Sequence, residues 1–205
     1  MAIPYFLTVL FQHSYGFSAM QTGFAFLVPT MFQMLGSQFS NPLSRVIGIR
    51  ATLLVGFFIG GLGGAALGLG IFPGSGYAAL IPGLILIGLA MGITYGPIWI
   101  IAGSDISPGE QGVATAMAST SLQIGGAVGL AVLVAVANAN TRGLTGEQLN
   151  HAMVSGTSIT MYAAAIGILI GMLISLTIKK PSSRAMHAAE TKAEQLTANT
   201  ELVVK

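Results

Sequence analysis

The side chains able to do acid–base or metal chemistry are sparse and scattered. Histidines stand at positions 13, 151 and 187, far apart and on different segments. That spacing does not build a metal site. The chain has no cysteine, which excludes disulfides, thiolate metal sites and thiol redox chemistry. No HExxH, GxSxG or GxxxxGK[ST] pattern occurs, and no two carboxylates share an apolar stretch. No enzyme, metal or cofactor chemistry is expected. Charge inside an apolar stretch is the usual pointer to an ion or proton path, and here it is missing. Asp105 lies only at the edge of one. Either it caps or neutralises a loop, or it takes part in gating. Uncharged polar residues remain. Gln12, Gln33, Gln38 and Gln123 lie within apolar runs, where an unpartnered amide costs on the order of several kcal/mol. Such amides either bond a neighbouring helix or face an aqueous cavity. Tyr95, Trp99, Met117 and Met161 are either core fillers or adaptable contacts for a lipophilic solute. Gln12, Gln33, Tyr95, Trp99, Met117 and Gln123 form the candidate path for such a solute.

The elements carrying these residues follow from the distribution of charge. Of 205 residues, 53% are hydrophobic and only 7% charged, against about 25% charged in a soluble domain. Mean hydropathy is +0.80. Asp, Glu, Lys and Arg are absent from residues 1–44, 51–104, 111–141 and 148–178. A membrane-crossing helix needs about 20 mainly apolar residues, so charges fall at the joints of a helical series. The net charge of +2 forms no basic stripe, and no nucleic-acid partner is expected. The lipid bilayer is the natural solvent.

The expected fold is all-α, a polytopic transmembrane helix bundle with spans at 23–43, 52–72, 78–103, 112–137 and 154–178. Residues 73–76 read as a tight turn, 104–110 as a polar loop, and 141–148 as another with a short surface helix after it. Residues 3–17 are apolar but short for a crossing, and lack a signal-peptide pattern. They read as a partial span, so a fragment or a late-started chain is expected. By parity Arg45, Arg50, Lys179, Lys180 and Arg184 share one side and Arg142 lies on the other. The positive-inside rule puts the larger group in the cytoplasm. The expected domains are a bundle over 1–178 and a polar cytoplasmic tail over 179–205.

Glycines recur at fourfold spacing: Gly56, Gly60, Gly64 and Gly68, then Gly88, Gly92 and Gly96, then Gly167 and Gly171 beside Ala163 and Ser175. Gly125 and Gly129 continue the theme. Small residues let helices approach closely in lipid. The faces serve either sliding motion or plain packing. Pro29, Pro82 and Pro97 each remove a backbone hydrogen bond and favour a bend, either at a functional break or as ordinary membrane-helix prolines.

Several stretches together resemble a known family. Residues 2–16 (AIPYFLTVLFQHSYG), with Gln12 and Gly16, then Gln21, Gly23 and Pro29, resemble the start of the C-terminal half of fourteen-span drug:proton antiporters. These form the QacA/EmrB-like branch of the major facilitator superfamily. Residues 41–50 resemble the second copy of the superfamily's cytoplasmic loop, G-x-L-x-D-R-x-G-R-R/K. Leu43, Gly48 and Arg50 fit, whereas Asn41, Arg45 and Val46 depart at the leading Gly, the acidic slot and the first basic slot. Residues 109–116 and 122–129 resemble the eleventh helix of a twelve-helix core, with its Q-x-G-G-x-x-G run. The resemblance implies half of a major facilitator fold, five full spans after a partial one. It also implies efflux of small lipophilic or cationic compounds and a small-molecule substrate. The proton-coupling carboxylates would belong to an N-terminal half that is missing here and acts as partner. The expected location is multi-pass in a bacterial-type inner membrane, with the C-terminus cytoplasmic. The alternative is a non-transporting scaffold or partner subunit that associates through its glycine faces.

Overall fold

Apolar runs become helices because lipid offers no hydrogen-bond partner to a bare backbone. The computed structural model describes residues 2–72, 74–103, 106, 109–138 and 146–177. Among them lie seven α-helices: α1 (Ala2–Val9), α2 (Ala19–Ala25), α3 (Leu27–Ile47), α4 (Ile49–Gly70), α5 (Tyr77–Ala102), α6 (Gln111–Ala137) and α7 (Gly146–Ser175). No strand occurs among the described residues, and the all-α expectation holds. Four helices, α4 to α7, are long and apolar enough to cross a membrane.

Two expectations need correction in the first third of the chain. The span read at 23–43 is two helices. Ser18 starts α2 with a reciprocal cap, its hydroxyl accepting from the Gln21 amide and its own amide donating to the Gln21 side chain. α2 ends at Ala25, and α3 then runs 21 residues to Ile47. Gln33, Gln38, Asn41 and Arg45 make α3 too polar to join the four apolar helices. The loop read at 41–50 is also mostly helix. α3 carries Leu43 and Arg45 past an internal Pro42, and α4 already contains Arg50. The connection shrinks to Gly48, whose φ of +87° is a conformation that only glycine adopts without strain. Pro42 does not break α3 because it lies on an exposed face near the helix end. α7 likewise begins at Gly146 rather than 154, absorbing the expected loop end and surface helix. Asp105, Arg142, Lys179, Lys180, Arg184, His187 and the proposed tail lie outside the described residues.

The stretch read as a partial span is α1 followed by a π-helical turn, Leu10–Ser14. The Tyr15 amide donates to the Leu10 carbonyl at 3.1 Å, and Phe17 to Phe11 at 2.9 Å. This wider turn aims Phe11 into an aromatic cluster. Its ring lies 5.6–6.0 Å, centroid to centroid, from those of Tyr15, Phe17, Phe26 and Tyr77. Phe6, Leu7, Leu10 and Phe11 are buried against Leu67, Leu80, Leu84 and Met161, so α1 plugs the core that α4, α5 and α7 share.

α5 packs between α3 and α4, and α7 covers another face of α4. The fourfold glycines of α4 face two neighbours in succession. Residues four apart are rotated about 40° in a helix of 3.6 residues per turn, so the stripe winds around. A Cβ on Gly56 would strike Thr94 of α5, one on Gly64 would stand 3.0 Å from Ala165 Cβ of α7, and one on Gly68 would stand 2.8 Å from the Tyr162 ring. Against α3, Gly88 meets the Pro29 carbonyl and Gly92 the Gln33 carbonyl, backbone on backbone.

Candidate functional site

α6 is the exception to this packing. None of its residues is buried. Leu130, Leu133, Val134 and Ala137 near its end pack on the core, and the Ala137 carbonyl faces Gly156 of α7. Over the preceding two-thirds the helix residues are exposed or half-buried. Gly125 and Gly129 have open space where a Cβ would be, as do Gly167 and Gly171 on α7. Sequence periodicity located these glycines without telling which of them have a neighbour.

The candidate path residues are exposed or half-buried. Gln12 sits on the π-turn, Gln33 on α3, and Met117 and Gln123 on the open part of α6. Tyr95 and Trp99 of α5 are brought together, ring edge to face, with centroids 6.1 Å apart. Met161 is fully buried and belongs to the core. Among the described residues, none of the four glutamine side chains in apolar runs hydrogen-bonds another element. The cross-helix bonds are made instead by hydroxyls. Ser40 Oγ donates to the Ile93 carbonyl at 3.0 Å, Tyr77 Oη to the Ala25 carbonyl at 2.8 Å, and Ser158 Oγ to the Gly68 carbonyl at 2.7 Å. For the first two the available signal was proline, which strips a carbonyl four residues earlier of its donor, whereas the Gly68 carbonyl is left open by the end of α4.

At the base of α4, Arg50 Nε is buried and has no partner among the described residues. At the other end of the bundle, Ser14, Tyr15, Phe72, Gly74, Ser75, His151 and Val154 line a cleft of about 130 Å³. This is well below the roughly 300–1,000 Å³ of a drug-sized pocket. Tyr15 Oη and Ser75 Oγ hydrogen-bond at 2.8 Å across it. Burial raises the Tyr15 hydroxyl above its ordinary pKa of 10.0, and the Ser75 hydrogen bond opposes that shift. His151 stands 3.9 Å from Glu147 one turn earlier on α7. Chemically the chain offers an open wall of apolar, methionine, aromatic and amide groups. Among the described residues no cluster of three or more metal-ligating side chains occurs.

A sequence profile described as Major Facilitator Superfamily matches residues 1–130. The chain is 33% identical over 180 residues to the cephamycin export protein CmcT of Amycolatopsis lactamdurans, covering 86% of this chain and 37% of that protein. It is 30% identical over 200 residues to the puromycin resistance protein pur8 of Streptomyces alboniger, covering 94% of this chain and 40% of that one. A 71-residue stretch is 37% identical to the uncharacterized MFS-type transporter YcnB of Bacillus subtilis (strain 168), covering 35% of this chain and 15% of that protein.

Proposed function

Because this chain belongs to the Major Facilitator Superfamily, we propose that it forms the C-terminal wall of an exporter of small lipophilic or cationic compounds. It is an integral, multi-pass membrane protein of a transporter family. The observation that carries the proposal is α6. A helix of 27 residues with none buried, bearing Met117 and Gln123 on its open length, suits a surface completed by another bundle. The chain spans only 37% and 40% of the two relatives named for cephamycin export and puromycin resistance. Those names support antibiotic export as the activity. Transporters of this superfamily rock two halves around a midplane site. The proposed partner is therefore an N-terminal half carrying the proton-coupling groups, with Gln12, Gln33, Tyr95, Trp99, Met117 and Gln123 lining this side of the path. The proposed membrane is a bacterial-type inner membrane. Arg45 and Arg50 mark the cytoplasmic side by the positive-inside rule, and residues 179–205 form a tail there.

The test reconstitutes the chain in proteoliposomes, alone and together with the N-terminal half of the cephamycin export protein. Uptake of puromycin and of cephamycin under an imposed pH gradient is then followed. The chain alone is expected to give none and the pair to give uptake that Gln123→Ala or Tyr95→Ala diminishes. Robust uptake by the chain alone would refute the need for a second half. Silence of every pairing with both compounds would count against export.

A further inference from the structure

We infer that α3 and α5 form one rigid unit, locked by two hydroxyl caps, one at the α2–α3 junction and one along the helices, on carbonyls that proline leaves without a donor. Pro29, early in α3, has no N–H to offer the Ala25 carbonyl. Ala25 is 7% exposed, and its carbonyl accepts from Tyr77 Oη, at the start of α5. At the second cap the roles exchange. Pro97 in α5 leaves the Ile93 carbonyl unpaired, Ile93 is 7% exposed, and Ser40 Oγ of α3 donates to it. A buried carbonyl without a donor is costly, more so away from water. Each helix therefore supplies the donor that its neighbour's proline removes.

Two further prolines have no such cap among the described residues, and both stand near a helix end. Pro42 and Pro82 also lie inside α3 and α5, but on exposed faces. Between the two caps the backbones are in direct contact, with Gly36 against the Leu89 carbonyl and Gly92 against the Gln33 carbonyl. The helices run parallel, since Ala25 pairs with Tyr77 and Ser40 with Ile93. One capped carbonyl ends α2, and Ser40 lies about 20 Å along α3 from its start at Leu27, at 1.5 Å per residue. Sliding one helix along the other would break both bonds at once and drive carbonyls into glycine contacts.

Double-mutant cycles on the full chain in lipid nanodiscs test this. Ser40→Ala is expected to lower the folded-to-unfolded ratio by about threefold to thirtyfold. In a Pro97→Ala background, where the restored amide reaches the Ile93 carbonyl, the same change is expected to cost less than about twofold. Tyr77→Phe and Pro29→Ala form the second cycle, which stands if a Pro97 variant does not fold. Equal costs in both backgrounds would mean that the hydroxyls matter only for packing, and would overturn the proposal. The absence of cysteine allows spin labels at Leu27→Cys and Ile98→Cys, both exposed. A single narrow distance is expected, broadened when Ser40→Ala and Tyr77→Phe are combined. An unchanged distribution in that combination would refute the lock.

Discussion

The same substitution, glycine to alanine, should have opposite effects at Gly92 and Gly171. At Gly92 an added methyl would strike the Gln33 carbonyl oxygen. It would also stand 2.6 Å from the Ser37 nitrogen and 2.8 Å from the Gly36 carbonyl carbon. All three are backbone atoms, so no rotamer change relieves them. Relief requires α3 and α5 to part by about 1 Å, since carbon contacts are optimal near 3.5–4.0 Å. Overpacking of that kind costs about 1–3 kcal/mol. Parting also stretches the 3.0 Å bond from Ser40 to Ile93, which adds about 1 kcal/mol. The expected loss is about 2–4 kcal/mol for Gly92→Ala. At Gly171 nothing lies within 4 Å of the new methyl, and alanine is the better helix former by up to about 1 kcal/mol. Gly171→Ala should therefore be neutral or slightly stabilising. Trp99 is the sole tryptophan and stands on α5, so its fluorescence during denaturation in mixed micelles follows the unfolding of that helix. Gly92→Ala matching the wild-type midpoint, or Gly171→Ala matching the damage at Gly92, would refute the reasoning.

Ser158→Ala removes the hydroxyl that caps the Gly68 carbonyl at the end of α4. A loss of about 0.5–2 kcal/mol is expected, read as a lower melting temperature that Ser158→Thr restores in part. Tyr15 gives a pH signature. Its folded-state pKa is raised above 10.0, so its contribution is fully present below pH 10 and is lost as pH climbs through the higher folded value. Melting curves should show an alkaline fall steeper in wild type than in Tyr15→Phe; identical falls would remove Tyr15 as the cause.

The interiors of α4, α5 and α6 were legible in the sequence because their apolar runs end at charges or at breakers such as Gly48. The start of α7 was not. Glu147 and Gln148 look like loop residues, yet they extend the helix to 30 residues. That is about 45 Å at 1.5 Å per residue, beyond a hydrocarbon core of about 30 Å, so polar residues in its first turns are no obstacle. The stretch around Pro42 and Arg45 misled for a related reason, since a proline near a helix end need not terminate it. Periodicity located the glycine faces but not their neighbours: Gly64 meets Ala165, about a hundred positions later, whereas Gly125 meets nothing within 4 Å. The candidate path residues could be picked out by type, but only Tyr95 and Trp99 are brought into ring contact with each other. The cross-helix hydroxyl bonds join residues 52, 53 and 90 positions apart, distances over which local pattern carries no information.

The attachment of α6 makes that helix a lever. It is held near Leu130 to Ala137, and from Leu130 to its first residue, Gln111, the arm is about 28 Å long at 1.5 Å per residue. A tilt of about 10° at the held end would carry the far end by about 5 Å, close to the full pitch of a helical turn. A small tilt at the held end is thus magnified along the arm toward Gln111.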